Sequence, residues 1–182
     1  MKRGDIMDPY EAMDRITGRA TGRNKGTINI MRGIPGSGKS RYVRVNREYG
    51  DLSCSANDYF LRGGGYHFDS SKLKEAHAHC MWLFLKSVER EQSERVQNGG
   101  KCGIWVDNTG IHAWELSPYV AIANAYGTPY QIIEMGCELE LALSRQKHDV
   151  PGATVAQMHH GIQWQPLPSW WTVKKVWNGA VV

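Results

Sequence analysis

Gly33-Ile34-Pro35-Gly36-Ser37-Gly38-Lys39-Ser40 satisfies every fixed position of the pattern G-x-x-x-x-G-K-[ST], and an apolar run from Thr27 to Met31 leads straight into it. Residues of these types in this order hold phosphate. Gly33, Gly36 and Gly38 let backbone N–H groups close around phosphate oxygens, with Pro35 and Ser37 completing the turn. Lys39 brings a mobile positive charge, and the Ser40 hydroxyl can enter the shell of a Mg²⁺ ion. A helix starting near Gly38 aims its positive dipole end at the same anion. A nucleoside triphosphate with Mg²⁺ is the expected ligand.

Moving the outermost phosphate onto an acceptor requires an acceptor held in line, cations to spread charge, and a group to receive the acceptor proton. Ser55-Ala56-Asn57-Asp58-Tyr59-Phe60 follows a short strand signal and puts Asp58 where an acceptor hydroxyl can approach, as base; a helix cap is the competing use of the same carboxylate. Asp107 ends another strand signal and is placed to support Mg²⁺ or its waters, or to serve the turn alone. Arg145 and Lys147 read as a basic lid over the phosphates, or as a solvated helix end. Arg62, beside Gly63-Gly64-Gly65, is within reach of an acceptor phosphate, or is plain surface. His77 and His79, two apart on a helix, point to different faces, and His159 and His160 are adjacent, so neither pair suggests a second metal.

These residues need a scaffold that alternates strands and helices. Thr27 to Met31 is the first strand and Lys39 to about Glu48 its helix; Leu52 to Ser55 is a second strand. Asp69 or Ser70 caps a long helix whose Leu73, Ala76, Cys80, Phe84 and Val88 fall at helical spacing, ending at Gln97-Asn98-Gly99-Gly100. Gly103 to Asp107 is a buried strand, and Trp114 to Tyr126 a helix whose Pro118 falls in its first turn if it begins near Ser117. Tyr130 to Glu134 and Leu139 to Lys147 give a further strand and helix. The alternation predicts an α/β domain: a parallel sheet with helices on both faces and the phosphate site at the carboxyl ends of its strands.

Three segments follow: a basic appendage, 1–26; a nucleotide-binding domain, 27–163; and a Trp-rich tail, 164–182, in which Trp164, Trp170, Trp171 and Trp177 are interleaved with Pro166, Pro168, Lys174 and Lys175. The tail reads as a strap packed on the domain or as a platform for nucleic acid. Seven Trp and eight Tyr stand against three Phe, and the net charge is +4, which suits a polyanionic partner with bases to stack on without requiring one. Cys54, Cys80, Cys102 and Cys137 are scattered without a C-x-x-C pair, so free thiols in a reducing compartment are expected. No apolar stretch reaches bilayer length, and the start of the chain lacks a secretory pattern, so a cytoplasmic protein with no membrane partner is expected.

The ordered set Gly33–Ser40, Ser55–Phe60, Tyr66-His67-Phe68-Asp69, Val106-Asp107-Asn108-Thr109 and Arg145–Pro151 resembles the small P-loop kinases related to polynucleotide 5′-kinase, over about Thr27 to Met158. The resemblance implies an adenylate-kinase-like P-loop NTPase fold and transfer of the ATP γ-phosphate to a hydroxyl of nucleic acid, DNA ahead of RNA. It assigns Lys39 and Ser40 to phosphate and Mg²⁺, Arg145 and Lys147 to the lid, and Asn108 and Thr109, with Arg62, to the acceptor. An aspartate stands in the family where this chain has Asn57, and an amide cannot take a proton as a carboxylate does. Asp58 is then the base, proton removal is weak, or the chain binds nucleotide without transfer. Similar kinases of bacteriophages act on the hydroxymethyl group of 5-hydroxymethyluracil in DNA, which would place the protein in the host cell cytoplasm. A small-molecule nucleoside kinase is the remaining alternative. The sequence does not address oligomeric state.

Overall fold

The computed structural model describes residues 26–62, 65–98, 102–146, 150–177 and 180–181. The basic appendage, apart from Gly26, lies outside them.

Ile28 to Arg32 is buried at every position, as a strand covered on both faces must be, and it forms the central strand β1. α1 (Lys39–Asn46) follows the glycine loop, and β2 (Leu52–Cys54) leads into a 3₁₀ turn, Ala56–Phe60. A small antiparallel hairpin, β3 (Leu61–Arg62) and β4 (Gly65–Tyr66), precedes the long helix α2 (Leu73–Asn98). Then come β5 (Ile104–Val106), α3 (Ala113–Ala125), β6 (Tyr130–Gly136), α4 (Leu139–Ser144), α5 (Gly152–Trp164), β7 (Val173–Trp177) and β8 (Ala180–Val181). The main sheet runs β2-β5-β1-β6-β7-β8, parallel throughout except for β8.

One face of the sheet packs Met31, Trp105, Ile133, Met135 and Val176 with Val43 of α1. The other buries Ile28, Ile30, Ile104, Val106 and Ile132 under α2 and α3. The helical stripe expected on α2 is in place at Ala76, Cys80, Phe84 and Val88, all fully buried, while Leu73 at its start is exposed. Asp69 caps the approach to this helix by accepting from the Ser71 N–H at 2.9 Å.

The start of α3 departs from the sequence reading. α3 begins at Ala113, so Pro118 sits inside it rather than in its first turn. Proline lacks the N–H that would serve the carbonyl of Trp114, and the Ser117 hydroxyl donates to that carbonyl instead, at 3.1 Å. The tail packs on the domain: Leu167 and Trp171 lie on the main core, and β7 pairs in parallel with β6. Trp105, one of the rings counted as stacking stock, is core, its indole N–H donating to buried Asp51 at 2.9 Å.

Candidate functional site

β1 ends in the phosphate loop, and the loop is built against α4. A Cβ on Gly36, which has φ +81°, would lie 2.0 Å from the Ala142 carbonyl oxygen, so only glycine fits there. Gly38 caps α1 in the left-handed region and has no side chain to occupy the first-turn N–H groups. Lys39 is buried, and its ammonium donates to the Ile34 carbonyl at 2.8 Å. Burial lowers its pKa to about 8, against the opposing pull of Asp107 and then Cys137.

The tips of β2 and β5 supply the carboxylates. The Asp107 N–H donates to Cys54 O at 3.0 Å, and the Ser55 hydroxyl to Asp107 O at 2.8 Å, which locks the two strand ends together. Burial raises the Asp107 pKa, while a hydrogen bond from Ser40 and the charge of Lys39 oppose the rise. Asp107 Oδ1 and the Ser37 hydroxyl are buried polar atoms without a hydrogen-bond partner among the described residues. Buried polar atoms are ordinarily paired. Oxygen ligands from Asp107 and Ser40 suit a hard divalent cation, and the unpaired Ser37 hydroxyl can donate to the phosphates it would accompany.

Asp58 performs the capping role and also faces the mouth. Its Oδ2 accepts from the Ser55 N–H at 3.0 Å, closing a capping box on the 3₁₀ turn. Although the residue is exposed at its rim, desolvation raises its pKa; the Ser55 N–H opposes this, Asp107 adds to it, and His79 and Arg47 oppose it. Asn57 is exposed, and its Oδ1 accepts from the Tyr66 hydroxyl at 3.2 Å.

Asn108 turns inward. Its Oδ1 accepts from the Ala56 N–H at 2.9 Å, and its Nδ2 lies 3.3 Å from both Cys80 Sγ and the Tyr119 hydroxyl oxygen, so it braces the site from behind. The Thr109 carbonyl accepts from the Gly33 N–H at 2.8 Å, tying the segment after β5 to the phosphate loop. Pro35 is half-buried in that loop. Arg145 ends α4 and is exposed; burial pushes the Cys137 thiol up, and the charges of Arg145 and Lys39 oppose that rise. Arg62 pairs across the hairpin with Gly65, and its side chain lies outside the described residues, as does Lys147.

Sequence reasoning missed Arg32. Its guanidinium is buried, forms an ion pair with Glu134, and donates to Ile111 O at 2.8 Å and Gln165 O at 2.9 Å. It thus ties the strand before the loop to β6 and to the end of α5. The signal was a charge at the end of an otherwise apolar buried strand, which demands a partner. A cleft of about 300 Å³ borders the loop at Ile34 and is lined further by Gly136, Cys137, Ile162, Lys175 and Trp177. Among the described residues no three His, Cys, Asp or Glu side chains converge on a metal position, and no helix is long and apolar enough to cross a membrane.

Sheet, loop and flanking carboxylates together define a P-loop kinase-like domain. Residues 28–161 match the family described as AAA domain, and the chain belongs to that family. It is 35% identical over 99 residues to NEDD4-binding protein 2 of Homo sapiens, a match covering 53% of this chain and 5% of that protein. A gluconokinase from Sinorhizobium meliloti 1021 superposes with a TM-score of 0.53 at 12% identity, over 86% of this chain and 85% of that one. AvrRxo1-ORF1:-ORF2 with ATP gives 0.55 at 16% identity, over 79% of this chain and 49% of that chain. At these identities the structural likenesses speak for the fold alone.

Proposed function

We propose that this domain is an ATP-dependent kinase that transfers the γ-phosphate to a hydroxyl of nucleic acid. The observation that carries the reading is the position of Asp107, whose side chain takes a hydrogen bond from Ser40 behind the phosphate loop and whose backbone oxygen takes one from Ser55, the residue whose N–H holds Asp58. Phosphate-holding and proton-accepting groups therefore share one mouth at the carboxyl ends of β1, β2 and β5.

In this account the loop N–H groups and Lys39 bind the phosphates, and Arg145 spreads the charge that develops during transfer. Ser40 and Asp107 would hold Mg²⁺, which when bound supplies charge neutralisation at the phosphates. Asp58, held on one oxygen by the Ser55 N–H, takes the acceptor proton, and burial that raises its pKa makes it a better base. The Ser55 cap and the Asn108 brace fix its position. Net charge of +4 and the resemblance to polynucleotide 5′-kinase relatives favour a nucleic-acid acceptor, either a 5′-hydroxyl or the hydroxymethyl group of a modified base.

The test is transfer of label from γ-labelled ATP to DNA, RNA, free nucleosides and gluconate side by side. Label on polynucleotide, salt-sensitive and lost in Lys39→Ala, is the expected result. Label only on a small molecule, or transfer that survives Lys39→Ala, contradicts it. One observation favours a second reading, binding without transfer: the Asp58 carboxylate already serves as a cap and Asn57 is an amide. That reading requires ATP uptake with no turnover on any hydroxyl.

A further inference from the structure

The mouth around Asn57 and Asp58 is walled by aromatic rings in continuous contact. On α2 the His79 ring stacks on Trp82, with centroids 5.9 Å apart and planes at 23°, and meets the edge of Tyr59 at 5.9 Å. Tyr59 meets buried Phe60 edge-on at 5.4 Å, and Phe60 in turn contacts Phe68 at 5.2 Å and Tyr66 at 6.1 Å. The Tyr66 hydroxyl donates to Asn57, and Tyr59 and Phe60 follow Asp58 on the same 3₁₀ turn, so the belt borders the acceptor residues. At its ends the rings are open to solvent: Trp82 is 55% and Phe68 50% exposed.

Trp82 and Phe68 stay half exposed although α2 already supplies the core with Ala76, Cys80 and Phe84. An indole held by a stacked imidazole on one side keeps its orientation and can offer its other face to a planar partner. Next to a proton-accepting carboxylate, the planar partner that also carries a hydroxyl for phosphorylation is a nucleotide. Stacking of this kind tolerates any base, because every base has a π face.

Building on the nucleic-acid reading above, we propose that Trp82, braced by His79, is a shelf on which an unpaired base of the acceptor strand stacks, with Phe68 bounding the opposite end. The shelf fixes the strand so that its hydroxyl is presented to Asp58. Trp82 is a positioning residue and touches no reacting atom.

The test uses the full chain and a short thymidine oligonucleotide with a free 5′-hydroxyl, intact or with abasic sugars at its first two positions. Trp82→Ala should raise KM for the intact oligonucleotide about tenfold, with kcat and ATP affinity changed by less than about twofold. KM for the abasic oligonucleotide should not respond to the substitution, and Trp82→Phe should recover most of the loss. A duplex carrying an internal hydroxymethyl base, run in parallel, tells whether the shelved base is terminal or drawn from a helix. Equal effects on intact and abasic acceptors, or none, overturn the shelf while leaving transfer in place. If no polynucleotide accepts phosphate, the functional reading fails instead. Anisotropy of the same labelled oligonucleotides with ATP and Mg²⁺ then decides the shelf: a Trp82-dependent preference for the intact strand supports it, and equal affinity contradicts it.

Discussion

Lys39 donates its ammonium to the carbonyl of Ile34, 2.8 Å away inside the same loop, so the cation meant for phosphate is held by the backbone that will surround it. A triphosphate arriving in the loop replaces a neutral acceptor by anions and favours the protonated amine. With a pKa lowered to about 8 by burial, Lys39 is charged below that pH and ATP affinity is flat there. Above it, binding must take up a proton, and affinity falls by up to about tenfold per pH unit until the raised pKa of the complex is reached. Calorimetry in two buffers of different ionisation enthalpy should detect that uptake about one unit above pH 8, and Lys39→Met should abolish it.

Asp58 has a capping role and a proposed catalytic one, and two substitutions separate them. Asn at position 58 can still accept from the Ser55 N–H but cannot take a proton; Ala can do neither. Asp58→Asn should lower kcat at least about a hundredfold with an unchanged melting temperature, whereas Asp58→Ala should also cost about 1 kcal/mol of stability. Because burial raises the Asp58 pKa and a base works only when ionised, the rate should fall as pH drops through a value higher than that of an ordinary aspartate. An unaltered rate in Asp58→Asn removes the assignment.

Buried Arg32, at the entry to the phosphate loop, forms an ion pair with half-buried Glu134. Arg32→Met removes the ion pair and leaves the Ile111 and Gln165 carbonyls without their donor, so it should cost about 2–3 kcal/mol in urea unfolding. A second substitution, Glu134→Leu, in that background should recover part of the loss. If Arg32→Met unfolds at the wild-type midpoint, the pair does not anchor the loop strand.

Gly36→Ala and Gly50→Ala place the same methyl group on two positive-φ positions. At Gly50 nothing lies within 4 Å, and the cost should be the roughly 1–2 kcal/mol of a left-handed alanine. At Gly36 the methyl group meets the Ala142 carbonyl, so the loop must part from α4. ATP affinity should collapse in Gly36→Ala and persist in Gly50→Ala, as read by nucleotide titration.

Much of this arrangement is legible in the sequence, because the phosphate loop is local and its glycines report backbone geometry directly. The stripe Ala76, Cys80, Phe84 and Val88 on α2 was equally local, being set by helical period. The Arg32 cluster was not, since its partners Ile111, Glu134 and Gln165 lie 79 to 133 residues away and only the folded sheet brings them together. β7 escaped notice for a related reason. Its Val173 and Val176 are separated by two lysines, one half-buried against Tyr42 of α1 and the other reaching toward Glu134, so no simple alternation marks the strand. The motif position of Asn108 does not specify which groups its amide meets. Which way an amide turns depends on the donors and acceptors around it, here Ala56, Cys80 and Tyr119.

Titration of the intact protein with ATP in magnesium buffer, followed calorimetrically and repeated with Lys39→Ala, tests the central claim most directly. Saturable heat from the wild type that vanishes in the variant is the result expected of a loop that grips the triphosphate. No heat from the wild type, or equal uptake by a variant that remains folded, would contradict it.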